Sequence, residues 1–335
     1  MNKITTTTSR RRALKLGLAT AFVAPAIVPA GLVRAQAWPS GPINWLNPFA
    51  AGGGVDVFGR PLAAQVGDQI GQNIVVDNKG GAGGTVGASQ AAKMKPDGSG
   101  FFLGAVHHTI APSIYKNLDY DLEKAFEPIT MIALVPQVIS INPQRIPAKN
   151  YAEFFDYLKA NPGKVNYASP GAGTAHHLAG ELYKLEAKVQ ITHVPYRGAG
   201  PAMQDLLAGN VEMMFDGMGT SAQQIRGGKL LGLAVATPQR LPEFPNIPTG
   251  AEVGVPNWIV STWYGLWAIK GTPKAIVDRM YDECVKAMKT EKLQAIWKDQ
   301  VALMGGETPD AFAKRIHSEI EKWAKVVATA GVKID

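Results

Sequence analysis

The chain has 335 residues, of which 46% are hydrophobic and 18% charged, as is typical of a soluble globular protein with an ample core. Its formal net charge is +7, but residues 1–37 contain no Asp or Glu and hold six of the 34 basic residues: Lys3, Arg10, Arg11, Arg12, Lys15 and Arg34. The other 298 residues carry 28 basic and 27 acidic side chains, a net charge of +1. That near-neutral balance removes the main support for binding to nucleic acid or to an acidic membrane.

Residues 1–37 have the three parts of an export signal. The basic sequence Arg10-Arg11-Arg12 precedes an apolar run at 16–33, and the small-residue sequence Ala35-Gln36-Ala37 follows. The paired arginines resemble a twin-arginine signal, which implies export in a folded state. Because Pro25 and Pro29 interrupt the apolar run, cleavage near Ala37 is favoured over a retained membrane anchor.

The remaining chain alternates short apolar runs with stretches of helical period, which predicts an α/β fold with parallel strands and crossover helices. Strands are predicted at 43–46, 74–76, 101–105, 165–168, 192–194, 211–215 and 231–236. Helices are predicted at 55–70, before residue 92 and from about 174 to 185. Longer β-prone stretches lie at 129–141 and 260–269, and a purely helical tail is expected to pack on an earlier sheet.

A length of 298 residues favours two domains. The two long β-prone stretches are interpreted as passages between lobes, so that 38–138 and 262–335 form lobe 1 and 139–261 forms lobe 2. Two lobes connected twice can close on a ligand by hinge motion. The alternative is two α/β domains in series, joined once.

Two glycine-rich loops are the predicted ligand site, because each follows a strand and opens a helix in a different lobe. Glycines let a ligand approach backbone N–H groups at a helix N-terminus, where the helix dipole attracts anions. The first loop supplies Phe49, Ala50, Ala51, Gly53, Gly54 and Asp56, and the second supplies Ser169, Gly171, Gly173, Thr174 and His177. Such loops suit a ligand with two carboxylates; the alternative is a pair of tight turns with no ligand.

Other polar residues are placed beside the same cleft. His107 and His108 follow the third strand and can bind a carboxylate or serve a structural role. Arg197 can donate a charged hydrogen bond. Asp216 is expected to face the cleft and cap the following helix, and both Asp216 and Asp56 need bridging water to approach an anion.

The sequence offers little for catalysis or for a bound cofactor. Cys284 is the only cysteine, and no H-E-x-x-H or Cys/His spacing supports a metal site. No nucleotide-binding motif, G-x-S-x-G elbow or paired-carboxylate arrangement is found, and no serine at a strand-to-helix corner has a base indicated by spacing. We therefore predict a protein that is not an enzyme and carries no cofactor or metal.

Several segments resemble the Bug-type periplasmic solute-binding proteins of tripartite tricarboxylate transporters. They are VDNKGGAGG at 76–84, NPGKVNYAS at 161–169, GTAHHLAGE at 173–181, HVPYRG at 193–198 and WYGL at 263–266. The resemblance implies a Venus-flytrap fold of type II-like topology, a periplasmic location and a monomer without catalytic activity. It further implies that both glycine loops hold one carboxylate, partly through water, and that membrane permease subunits receive the ligand.

The chain departs from that family pattern at two places. His107-His108 replace small polar residues, and Arg197 replaces a commoner lysine. Both changes place larger groups near the distal end of the ligand, which favours an aromatic dicarboxylate such as terephthalate beside the aliphatic di- and tricarboxylates. A carboxylate sensor subunit and an exported hydrolase are the alternative functions.

Overall fold

The computed structural model describes residues 38–330, so the predicted export signal lies outside the described residues. Within them the strands are β1 (Ile43–Asn47), β2 (Ile74–Asn78), β3 (Gly100–Ala105), β4 (Phe126–Ile141), β5 (Asn166–Ser169), β6 (Thr192–Pro195), β7 (Met213–Gly217), β8 (Leu231–Val235), β9 (Ser261–Ile269) and β10 (Leu303–Met304). Each of the seven predicted strands overlaps an observed one, and their ends differ by two residues at most; the β-prone stretch at 129–141 begins three residues after β4.

The helices in the same range are α1 (Gly54–Ile70), α2 (Thr85–Ala92), α3 (His107–Ile114), α4 (Leu122–Ala125), α5 (Tyr151–Ala160), α6 (Ala175–Ala187), α7 (Ala199–Ala208), α8 (Met218–Arg226), α9 (Lys274–Met288), α10 (Glu291–Asp299) and α11 (Pro309–Ala330). Short 3₁₀ turns lie at Ala82–Gly84 and Ala251–Val253. No helix within residues 38–330 has the length and apolar composition that crossing a membrane requires.

The strands form one mixed sheet in the order β2-β1-β3-β9-β4-β7-β5-β6, with β8 and β10 also paired to β4. Strands β1, β2 and β3 pair in parallel, and so do β5, β6 and β7, as predicted for strands joined by crossover helices. The two long stretches, for which no direction was predicted, are antiparallel, since β9 runs antiparallel to both β3 and β4; β8, one of the short runs, also pairs antiparallel with β4. The α/β class is confirmed, with a mixed sheet.

Strand β4 connects two groups of strands. Its first part, from Phe126 to Pro136, pairs with β9, and its second part, from Gln137 to Ile141, pairs with β7 and β8. We call β1, β2, β3 and β9 the first sheet half, and β5, β6, β7 and β8 the second sheet half. The loops after β1 and β5 therefore open helices on different sheet halves.

The C-terminal segment packs on the sheet, as predicted, but it is not purely helical. β10 pairs antiparallel with β4, with Leu303 opposite Leu134. Phe312 on α11 is fully buried against the indole of Trp267, with ring centroids 5.0 Å apart. Gly265 makes room for that ring, because a Cβ there would lie 2.3 Å from Phe312.

We expect Phe312→Ala to lower the free energy of unfolding by about 3–5 kcal/mol, since it leaves a cavity between α11 and the sheet. Urea denaturation of the purified protein measures this change. The exposed Lys314 on the same helix is the matched control, and Lys314→Ala should shift the value by about 0.5 kcal/mol or less. Equal, small effects of both variants would show that α11 is not anchored through Phe312.

Candidate functional site

The first glycine loop ends at the start of α1. Gly53 precedes the helix in an extended conformation, and no side chain caps the helix there. The first amides of an α-helix have no acceptor within the helix, and the dipole places positive potential around them. The hydroxyl of Tyr264 lies against this helix start, because a Cβ on Gly54 would be 1.9 Å from it. The first turn of α1 therefore combines backbone donors with a phenol hydroxyl.

Asp56 holds the shape of this loop. Its carboxylate accepts hydrogen bonds from Arg60 Nε at 2.8 Å, Gly52 N at 3.1 Å and the side-chain amides of Asn47 and Asn78, both at 3.2 Å. Burial acts to raise the pKa of Asp56, but the bonds from Arg60, Gly52 and Asn78 outweigh it and hold the pKa below its ordinary value. The carboxylate is thus used within the loop, and its water-bridged contact with a ligand stays a prediction.

The second glycine loop, between β5 and α6, is held in shape by hydrogen bonds within the loop and the first turn of α6. Thr174 caps α6: its hydroxyl oxygen accepts from His177 N at 3.3 Å, and the hydroxyl donates to Gly171 O at 2.8 Å. Gly173 N donates to His177 Nδ1 at 3.1 Å. His177 therefore orients the loop from one turn further along the helix.

Ser169 and His193 form a pair that the sequence analysis missed. Ser169 ends β5, and its Oγ lies 2.6 Å from His193 Nε2 on the neighbouring strand β6. Sequence spacing did not indicate this base, because His193 lies 24 residues away and meets Ser169 only through strand pairing. Burial, with the nearby His177 and Lys184, lowers the pKa of His193 to about 3. A base with so low a pKa holds a proton poorly at neutral pH, which does not favour a hydrolase.

The two loop regions touch each other directly. Ala50 N, after β1, donates to the carbonyl of Arg197 at 3.1 Å. The Tyr115 hydroxyl donates to Ala172 O at 2.8 Å, and Ala175 N donates to His107 Nδ1 at 3.0 Å. These bonds join loops of the first sheet half to loops of the second. Arg197 is exposed, and the part of it that takes part in this contact is its backbone carbonyl.

Glycines allow this close approach of two backbones. A Cβ on Gly200 would lie 2.1 Å from Ala51 O, and a Cβ on Gly171 would lie 3.0 Å from the backbone of Gly83. Neither obstacle is a flexible side chain that could turn away. The contact between the loops therefore requires glycine at these positions.

His107 and His108 line the same contact region. The ring of Phe49 lies edge-on to His107, with centroids 5.3 Å apart. Burial, together with His176 and His108, holds the pKa of His107 well below its usual value. His108 Nδ1 lies 2.9 Å from Ala105 O, and burial lowers the pKa of His108 to about 4. Both imidazoles are therefore uncharged at neutral pH.

Asp216 is fully buried at the end of β7. It accepts from the hydroxyls of Thr220 and Ser221 through Oδ2, and His176 Nε2 lies 3.6 Å from Oδ1. The expectation that Asp216 caps α8 is wrong, because Gly217 is the cap residue and no side chain bonds the first amides there.

Three further residues belong to this region but were not predicted: Tyr115, His176 and Tyr264. Only His176 had a sequence signal, its place beside His177 at a helix start. Within residues 38–330 no group of three or more His, Cys, Asp or Glu side chains is arranged to hold a metal ion.

Comparison with known proteins decides the family. The family model described as "Tripartite tricarboxylate transporter family receptor" matches residues 58–332. The chain belongs to this family. BugT of Bordetella pertussis is 34% identical over 315 residues, which cover 93% of this chain and 96% of BugT. The structure of the periplasmic binding protein BugD is similar with a TM-score of 0.85 at 36% identity, covering 88% of this chain and 99% of that one.

Two further similar structures, both at 31% identity, contain carboxylates. Rpa4515 of R. palustris, with adipate, has a TM-score of 0.84 at 31% identity, and covers 88% of this chain and 99% of its own. MatC of Rhodopseudomonas palustris, with bound malate, has a TM-score of 0.81 at 31% identity, with 86% and 99% covered. The predicted Bug-type family and the periplasmic-binding-protein fold are confirmed.

We expect Gly200→Ala to separate the two loops, because its Cβ would meet the Ala51 carbonyl. Small-angle X-ray scattering should show a larger radius of gyration, and the free energy of unfolding should fall by about 1–3 kcal/mol. Gly41→Ala is the control, since no atom lies within 4 Å of a Cβ there. An unchanged scattering profile for Gly200→Ala would contradict the observed contact.

Stability should fall as the solution becomes acidic. The folded-state pKa of His108 is about 4 instead of its ordinary 6.5, so between these values the unfolded chain binds a proton that the folded chain does not. Stability from this group is therefore lost as pH falls from about 6.5 towards 4, by up to about 1.4 kcal/mol per pH unit. Denaturation at several pH values should give a shallower slope for His108→Asn, and an unchanged slope for Gly41→Ala, which replaces no titratable group.

Proposed function

We propose that this protein is an exported periplasmic receptor that captures a small carboxylate and delivers it to the membrane permease of a tripartite tricarboxylate transporter. The observation that carries the proposal is direct contact between the two sheet halves: the loop that opens α1 meets the loop that opens α7, and the first residue of α6 bonds His107. Uncapped amides at the start of α1 and neutral imidazoles nearby favour an organic anion over a cation. Cleavage of the export signal near Ala37 belongs to the same proposal.

The receptor closes as two lobes, with 38–138 and 262–335 in one and 139–261 in the other. The three hydrogen bonds between the loop regions support this division, since each joins a residue before 139 to a residue after it. β4 supplies one of the two connections. The receptor acts as a monomer, and closure around the ligand generates the surface that the permease recognises.

The ligand is a di- or tricarboxylate. The adipate and malate found with related proteins support a carboxylate of this size. An aromatic dicarboxylate such as terephthalate stays a prediction: the rings of Phe49 and His107 offer apolar edges for a flat spacer, while the exposed position of Arg197 leaves the second carboxylate without a buried cation.

The receptor binds its ligand without changing it and uses no cofactor. Membership in a receptor family and the low pKa of His193 beside Ser169 support this proposal. The ligand should therefore be recovered intact from the denatured protein.

A thermal-shift screen with aliphatic and aromatic mono-, di- and tricarboxylates tests the proposal. A ligand at 100 times its dissociation constant stabilises the folded protein by about 2.7 kcal/mol, which a melting curve detects easily. Mass spectrometry of the molecule that co-purifies should identify the same class of acid. Stabilisation by no carboxylate, or recovery of a cleaved product, would contradict the proposed function.

Delivery to a permease is tested with the ligand found in that screen. Immobilised receptor should retain polytopic membrane proteins of the transporter from a membrane extract only when the ligand is present. Gly200→Ala is the matched control, since a receptor that cannot close should retain none. Retention that is equal with and without ligand would argue against ligand-dependent delivery.

A further inference from the structure

Asp216 has one oxygen without a donor. Its Oδ2 accepts from the hydroxyls of Thr220 and Ser221, but Oδ1 meets no hydrogen-bond donor among the described residues. The side chain is fully buried, so bulk water does not supply the missing bond. Leaving a buried acceptor without a donor is unfavourable, so a partner for this oxygen is expected when the site is occupied.

The position of this oxygen links it to the anion site. Gly217, the next residue, would place a Cβ 3.8 Å from the hydroxyl of Tyr264, and the same hydroxyl lies against Gly54 at the start of α1. His176, in the first turn of α6, lies 3.6 Å from Oδ1 through its Nε2. The end of β7 that carries Asp216 therefore lies close to the Tyr264 hydroxyl, which touches the start of α1, and Oδ1 itself lies close to His176 at the start of α6.

Charge restricts what can lie there. A plain carboxylate bound at the start of α1 would approach a buried carboxylate of the same sign, which is unfavourable. A hydroxyl or an ammonium group beside the ligand's carboxylate would remove the conflict, because it donates to Oδ1. The unpartnered Nδ1 of the buried His176 adds a second polar atom to this subsite.

We infer that the ligand is a carboxylate with a hydrogen-bond donor on the carbon next to its carboxylate, a 2-hydroxy or 2-amino acid, and that Asp216 Oδ1 accepts from that donor. The inference rests on the proposed function and makes Asp216 its specificity-determining residue. A bridging water on Oδ1 is the competing arrangement, and it predicts no preference for such a donor.

Isothermal titration with matched acids tests the inference. The sets are succinate, malate and aspartate, and glutarate, 2-hydroxyglutarate and glutamate, with terephthalate as the aromatic acid. We expect the donor-bearing member of at least one set to bind tenfold or more tightly than its unsubstituted parent. Comparing the hydroxy acids with the amino acids of the same chain length shows whether the preferred donor is a hydroxyl or an ammonium group.

The variant Asp216→Asn tests the residue. The amide oxygen keeps the bonds from Thr220 and Ser221, so the NH₂ group takes the place of Oδ1 and no longer accepts. The tenfold preference should fall to about twofold or less, while the exposed Asp299→Asn keeps it. If Asp216→Asn does not fold, the ranking of affinities measured on the unmodified protein still shows whether a donor-bearing acid is preferred.

The outcomes separate the two proposals. Equal affinity for substituted and unsubstituted acids, or tightest binding of terephthalate, overturns the inference and leaves the carboxylate receptor intact. Binding of no acid in the panel overturns both. A preference that survives in Asp216→Asn overturns the role of Asp216.

Discussion

The hydrogen bond from Ala50 N to the Arg197 carbonyl requires two backbones to meet without side chains between them. That condition explains the glycines at 198 and 200, where added Cβ atoms would lie 2.9 Å from Ala50 N and 2.1 Å from Ala51 O. Where the loops meet, the start of α1 lies against the start of α7, since a Cβ on Gly53 would be 3.4 Å from Ala199 N. The glycines therefore matter less for local turns than for contact between distant parts of the chain.

Buried histidines complete this contact without adding charge. His107, His108, His177 and His193 all have pKa values below the ordinary one, each chiefly because burial disfavours the protonated ring. Neutral imidazoles can accept backbone hydrogen bonds, as His107 does from Ala175 N. They also leave the positive potential of the helix N-termini free for an anionic ligand.

Sequence alone predicted the strands, the glycine loops and the family, because hydrophobic period and motifs are local. It did not predict that β9 runs antiparallel to β3 and β4, since those pairings join residues far apart in the chain. Residue type misled at Asp216, which was expected to cap a helix yet accepts hydrogen bonds from the hydroxyls of Thr220 and Ser221. At Arg197 it gave no sign of the backbone contact, in which the carbonyl accepts from Ala50 N. Which backbone groups form contacts, and which hydrogen-bond partners a side chain has, are visible only in the tertiary structure.

The shared strand β4 has a mechanical consequence. Because Phe126–Pro136 pairs with β9 while Gln137–Ile141 pairs with β7 and β8, neither group of strands is complete without a piece of the same strand. Cutting the polypeptide within β4 would thus deprive both parts of a neighbour at once. Turning one sheet half against the other would therefore require twisting a hydrogen-bonded ribbon at residues 136–137, not a flexible linker.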